Sequence, residues 1–220
     1  MIADGVPALG EVLLVRHTEV ARAWAGRCYG QSDMGLSREG ARAACALAGT
    51  LAAAPPNAIV HSGLKRTRLL AQIVARATGL TPSVDPRWRE RGFGDWEGRS
   101  WTAIWRATGD AMDRIMTEPE SFRPGGDGET GVELEARCLA AWDALPREGT
   151  TLVIAHGGAI VTIRALAHGA DLTQTARFIS RPGEIVPMPR PLRFAAHAAQ
   201  HHLAIDGSAP QADLQRCIGR

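Results

Sequence analysis

Leu13-Leu14-Val15-Arg16-His17-Thr18 decides the fold. A short unbroken apolar run suits a strand buried on both faces, as in a parallel sheet. Read over residues 11–15, the strand delivers Arg16 and His17 to its C-terminal end. Far along the chain, Leu152-Val153-Ile154-Ala155-His156-Gly157-Gly158 repeats the device. A strand over 151–155 there ends on His156, followed by two glycines that let backbone approach a ligand closely. Open α/β sheets gather their ligands outside the C-terminal strand ends. The two histidines are therefore expected at one site.

The elements between them alternate. Ser37 is a candidate N-cap for a helix to about Ala53, ended by Pro55-Pro56. Residues 57–60 read as a second strand. A helix follows over 64–77, stopped by Gly79, and then a short strand at 82–84. Residues 100–117 carry a helical pattern with Trp101, Ile104, Trp105, Met112, Ile115 and Met116. Pro124-Gly125-Gly126-Asp127-Gly128 is a loop, 131–145 a helix, 158–168 a helix and 183–188 a last strand. Alternation of this kind predicts an α/β fold: a three-layer α/β/α sandwich with a mostly parallel central sheet. No internal repeat or linker divides the chain. The expectation is one domain over 1–220, its core at about 11–188 and an extension at 189–220.

Composition narrows the function classes. The chain has 220 residues, 45% hydrophobic, with a formal net charge of +2. That length holds one substantial core. The charge does not suggest nucleic-acid steering. Of 25 basic residues one is lysine, Lys65. Guanidinium groups bind phosphate in a bidentate fork. Cys28, Cys45, Cys138 and Cys217 form no CxxC pair, so reduced thiols are expected. There is no signal-peptide pattern and no run of roughly 18 apolar residues to span a bilayer. A cytoplasmic protein, free of membrane and nucleic acid, is the expectation. His197 and His201 stand four apart with His202 beside them, but no further ligand is visibly placed, so no metal is expected.

Phosphoryl transfer makes particular demands. The equatorial oxygens must be neutralised, a nucleophile presented in line, and the leaving oxygen protonated. A neutral imidazole can attack phosphorus, and His17 fits that role beside Arg16. Arg66, after the second strand, and His156 would hold the phosphoryl group; His156 could equally keep His17 in its working protonation state. Glu90 would be the general acid, with Glu97 as its competitor.

These motifs together resemble the histidine phosphatase (phosphoglycerate-mutase-like) superfamily. Arg16-His17, Ser62-Gly63-Leu64-Lys65-Arg66, Glu90 with Gly94-Asp95-Trp96-Glu97-Gly98, and His156-Gly157-Gly158 occur in its order. The likeness spans about residues 11–187, with Trp88 and Gly63 as departures where leucine and proline are usual. It implies a Rossmann-like layered fold with a helical lid and a phosphohistidine at His17. Glu90 is then the acid and Glu97 a structural glutamate. No metal or cofactor is required. Arg16, Thr18, Tyr29, Gly30, Arg66, His156 and Gly157 would bind substrate.

Ala23 replaces the asparagine with which mutases contact substrate, and the long mutase insertion after Trp96-Glu97-Gly98 is missing. Cys28-Tyr29-Gly30 through Asp33 is similar to the C-Y-G-x-x-D segment of α-ribazole phosphatases, which act in cobalamin biosynthesis. Gly125–Thr130 departs from their P-G-G-E-S loop. The expected substrate is a small-molecule phosphomonoester, α-ribazole 5′-phosphate first. Sugar phosphates, phosphoglycerate and phosphoserine are the alternatives; a mutase or a non-catalytic phosphate-binding module ranks below them. The resemblance leaves a homodimer open. Trp101 and Trp105 read as core or lid packing, with stacking on a substrate ring as the alternative.

Overall fold

The computed structural model describes residues 10–190. Five strands form one sheet: β1 (Glu11–Arg16), β2 (Ala58–His61), β3 (Ser83–Val84), β4 (Thr150–Ala155) and β5 (Ile185–Pro189). Their order is β3-β2-β4-β1-β5. The first four run parallel, and β5 lies antiparallel to β1, pairing Pro187 with Leu13 and Pro189 with Glu11. Among the described residues six helices accompany them: α1 (Arg38–Ala53), α2 (Lys65–Thr78), α3 (Trp101–Thr108), α4 (Arg114–Thr117), α5 (Gly131–Asp143) and α6 (Gly157–Ala167).

Strand side chains alternate between faces, and each face finds its own helices. Val12 and Leu14 of β1, with Val153 and Ala155 of β4, pack on Leu134 and Cys138 of α5 and Ile160 and Ile163 of α6. Val15, Leu152 and Ile154 pack on Ala44 and Ala48 of α1 and on Leu70 and Val74 of α2. This is the expected three-layer sandwich. The start of α1 and the end of α2 follow the sequence signals. Ser37 Oγ accepts from the Gly40 N–H at 2.8 Å. Gly79 caps α2 at φ 74°, a conformation that suits glycine. Thr130 and Glu133 form a reciprocal capping box at the start of α5.

The 100–117 stretch departs from expectation. The helix stops at Thr108, because Gly109 turns to φ 57°, and a 3-10 turn at Gly109–Asp113 precedes the single turn of α4. The segment packs a small cluster of its own, Cys28, Trp96, Ile104 and Phe122, apart from the two sheet cores. A further 3-10 stretch, Leu172–Phe178, lies against α6 and α4; the sequence did not signal it. The start of the expected extension belongs to the sheet, since β5 runs through Pro189. Arg190 then lies over the Trp142 ring and donates to the Trp142 carbonyl at 2.6 Å. His197, His201, His202 and Cys217 fall outside the described residues.

Candidate active site

Strand ends bring the sequence-predicted residues together. β1 ends on Arg16 and His17, β2 leads through His61 and Ser62 to Arg66 in the first turn of α2, and β4 leads into His156 and α6. His17 takes its place from the main chain, its N–H bonding the Ala155 carbonyl at 3.1 Å. Its ring is buried and lies 5.2 Å from that of His156.

The protonation of His17 follows from its partners. Nδ1 lies 2.8 Å from the Thr18 carbonyl, which can only accept, so Nδ1 carries the hydrogen. Nε2 is left as a buried lone pair with no protein partner. Burial, then the Arg66 charge, push the imidazole down from 6.5 to about 3, against the upward pull of the Thr18 carbonyl; Arg16 adds to the lowering. His17 is therefore a neutral imidazole held in one tautomer at neutral pH.

His156 is fixed by a directed chain of hydrogen bonds. Arg66 Nε donates to His156 Nδ1 at 3.2 Å. The ring's remaining hydrogen on Nε2 then goes to Ser62 Oγ at 2.7 Å. Ser62 Oγ in turn donates to Thr67 Oγ1 at 2.8 Å, since the Thr67 hydroxyl gives its own hydrogen to the Leu64 carbonyl. Burial, then Arg66, hold His156 well below 6.5. The expectation that His156 grips a phosphate oxygen needs correcting for this state. Both ring nitrogens are occupied by protein groups, and the ring's visible work is to orient Arg66.

Arg66 is fully buried, and four of its five N–H groups are taken: by His156, the carbonyls of Ser32 and Gly30, and Met34 Sδ. One Nη2 hydrogen remains. Arg16 gives Nη1 to the Ser180 carbonyl at 2.8 Å, while its Nε is buried without a partner. Its guanidinium lies against Gly157, where a Cβ would come within 3.3 Å of Cζ. The site thus holds two guanidinium groups with free donors beside a neutral imidazole lone pair.

Glu90 is nearly buried. Its Oε1 accepts from the Gly158 N–H and from the Arg91 N–H, each at 2.9 Å. Both bonds use one oxygen, so Oε2 is the one left for proton traffic. Arg137 of α5 pins this segment, reaching the carbonyls of Arg87, Arg89 and Glu90 together with the Glu129 carboxylate. Glu97 is no rival. It accepts from Gln31 N, Ser32 Oγ and Phe93 N and so ties the 31–32 loop to its own.

The remaining expected residues serve less directly than supposed. Thr18 works through its carbonyl, and its hydroxyl is buried without a partner. Gly30 supports Arg66 through its own carbonyl, and a Cβ there would run into Glu97. The Tyr29 ring stands edge-on to His17 at 6.2 Å and under the Arg66 guanidinium. Sequence reasoning missed Ser62 as the partner of His156, as well as Thr67, Arg137 and the Ser180 carbonyl. Only Ser62 had a signal, its place in the Ser62–Arg66 motif.

A cavity of about 370 Å³ opens from Arg16, Glu90, Gly157 and Gly158. Trp101 lies on its wall, whereas Trp105 is 61% exposed and does not. Among the described residues no group of three or more His, Cys, Asp or Glu could hold a metal ion, and no helix is long and apolar enough to cross a membrane. Cys28, Cys45 and Cys138 are free thiols.

Residues 12–188 match the model of the histidine phosphatase superfamily, branch 1. The chain belongs to that superfamily. The histidine phosphatase fold is borne out by solved structures as well. A mycobacterial glucosyl-3-phosphoglycerate phosphatase superposes with a TM-score of 0.70 at 27% identity, over 81% of this chain and 89% of that one. TTHB049 from Thermus thermophilus gives 0.63 at 29%, over 84% and 96%. A probable phosphoglycerate mutase, GpmB of Yersinia pestis (strain Pestoides F), is 35% identical over 153 residues, 68% of this chain and 71% of that protein. Histidine phosphatases of this kind include both phosphatases and mutases.

Proposed function

We propose that this chain hydrolyses phosphomonoesters through a phosphohistidine on His17. The single observation that carries the reading is the His17 tautomer: Nδ1–H committed to Thr18 and Nε2 left as a buried lone pair beside two guanidinium groups. In the first step Nε2 attacks phosphorus, the N–P bond forms and the bond to the ester oxygen breaks. Glu90 gives its proton to that oxygen. In the second step water attacks the phosphohistidine, the Glu90 carboxylate takes the water's proton, and N–P cleavage releases inorganic phosphate. Free donors on Arg16 and Arg66 meet the charge on the equatorial oxygens throughout.

For the substrate we propose α-ribazole 5′-phosphate. Support comes from the Cys28–Asp33 segment, which is built into the site: Cys28 is buried, Tyr29 faces His17, and Asp33 Oδ1 accepts from the Lys65 N–H at 2.5 Å. The names of the relatives favour a second reading, a phosphoglycerate or its sugar conjugate.

Phosphate release is the test, measured with a chelator present over α-ribazole 5′-phosphate, 3-phosphoglycerate, phosphoserine and a nucleoside monophosphate. His17→Ala is expected to lower turnover at least about 10³-fold and to abolish an acid-labile phosphoenzyme. Activity that survives the substitution overturns the mechanism. Selective turnover of another substrate overturns only the α-ribazole assignment.

A further inference from the structure

The cavity beside the catalytic groups is chemically lopsided. Its charged residues, Arg16, Glu90 and Arg91, stand by the phosphate pocket. Away from them the wall is Trp101, Ile115 and Met116 from the segment after Ser100, and Leu172, Ala176 and Ile179 from the second 3-10 stretch and its end. The two threonine side chains that reach it offer no free hydrogen. Thr162 Oγ1 donates to the Gly158 carbonyl at 3.0 Å, and Thr175 Oγ1 gives its hydrogen to the Leu172 carbonyl or Met116 Sδ. A glycerate or a sugar placed against these walls would lose water from several hydroxyls and find few partners for them, the unpaired Arg91 Nη2 at the charged end and the threonine oxygens apart, which is costly. An apolar ring would release water and gain contact. Ile179, 64% exposed at the wall, marks where such a group enters.

We infer that the leaving group is an alcohol bearing a flat apolar ring system, seated against Trp101, Met116 and Ile179, and that polyhydroxylated leaving groups are poor substrates. The inference rests on the phosphohistidine reading and does not depend on α-ribazole being the natural ester. The cavity, about 370 Å³, has room for one or two fused rings beside the ester carbon.

Leaving-group acidity must not be mistaken for fit, so the comparison uses primary alkyl esters throughout: 2-(1-naphthyl)ethyl phosphate and benzyl phosphate against glycerol 3-phosphate and glucose 6-phosphate. The naphthylethyl ester is expected to show a kcat/KM at least about tenfold above glycerol 3-phosphate. Ile179→Asp should cut that ratio severalfold. Equal or better use of the polyol phosphates, still dependent on His17, overturns the inference and leaves the phosphatase reading intact. Hydrolysis that survives His17→Ala overturns the phosphatase reading instead. The chamber is tested without turnover by titrating 2-(1-naphthyl)ethanol into the His17→Ala protein calorimetrically. A Kd of about 1 mM or tighter, weakened by Ile179→Asp, is expected; no binding overturns the inference on its own.

Discussion

The two ends of the substrate site are built by opposite means. At the phosphate end, Arg16, His17, Arg66 and His156 hang on strand ends or the first turn of a helix, and Glu90 is tied to the first turn of α6 through the Gly158 N–H. Hydrogen bonds fix the side chains: Arg66 alone satisfies four acceptors. At the leaving-group end, short helices and 3-10 turns present apolar side chains, of which Trp101 and Ile115 pack against a small cluster apart from the two sheet cores. Chemistry that depends on fractions of an ångström is placed where the sheet fixes the backbone. Selection among leaving groups is placed on segments whose replacement leaves the sheet untouched.

The sharpest way to test this division is Glu90→Gln. The amide oxygen can still accept from Gly158 and Arg91, but no proton is available for the ester oxygen. Turnover of alkyl phosphates should fall about 10²-fold or more. A 4-nitrophenyl ester, whose leaving group needs no proton, should lose far less. Equal losses for both esters would make Glu90 a mere prop for α6.

The next effect is on stability and comes from acid. His17 and His156 are buried and neutral, with folded-state affinities for protons below those of the unfolded chain. Below pH about 6.5 the unfolded chain binds protons that the folded protein refuses, so stability falls as pH drops, for His17 down to about 3. Each histidine contributes roughly 1.4 kcal/mol per pH unit in that window. Denaturant titrations at pH 7.5, 6 and 5 should show the decline, with a shallower slope in His17→Asn. A flat profile would mean that these rings meet water.

Thr67→Val keeps the shape of the relay's last member and removes its oxygen. The Ser62 hydroxyl then has no acceptor, and an expected loss of about 1–3 kcal/mol should be read by chemical denaturation and largely restored by Thr67→Ser. Smallest of all is Trp105→Ala in the apolar segment. That ring is 61% exposed, so stability should stay within about 0.5 kcal/mol and kcat/KM within about twofold. A larger change would show that the outer face of α3 also takes part.

The same contrast governs what could be read in the chain. Leu13–His17 and Leu152–Gly158 announced two buried parallel strands because a strand covered on both faces has no polar alternation to hide it. Ser37 and Gly79 announced helix ends because an N-cap needs a side-chain acceptor and a left-handed C-cap favours glycine; the Thr130 capping box went unread. The helix expected over 100–117 failed at Gly109, where one glycine in the left-handed region outweighed an amphipathic pattern. Partners that are backbone carbonyls, such as Ser180 for Arg16 or Gly30 for Arg66, leave no mark in a sequence, for every residue carries one. Arg137 had no local signal for its three carbonyl acceptors either, because they lie about 50 positions back and only the packing of α5 brings them near. Glu97 could be told from Glu90 by motif alone; its three hydrogen bonds supply the physical reason.

One consequence of β5 concerns the company this sheet can keep. Pro187 and Pro189 sit two apart and so fall on the same side of the strand. The side facing β1 must supply the ladder's donors, so the absent N–H groups are on the outer edge. At the opposite border β3 has only two residues. Among the described residues, neither border offers a row of donors long enough to recruit a strand from another molecule. An enzyme whose core is a mostly parallel sheet thereby escapes runaway edge-to-edge polymerisation at both rims.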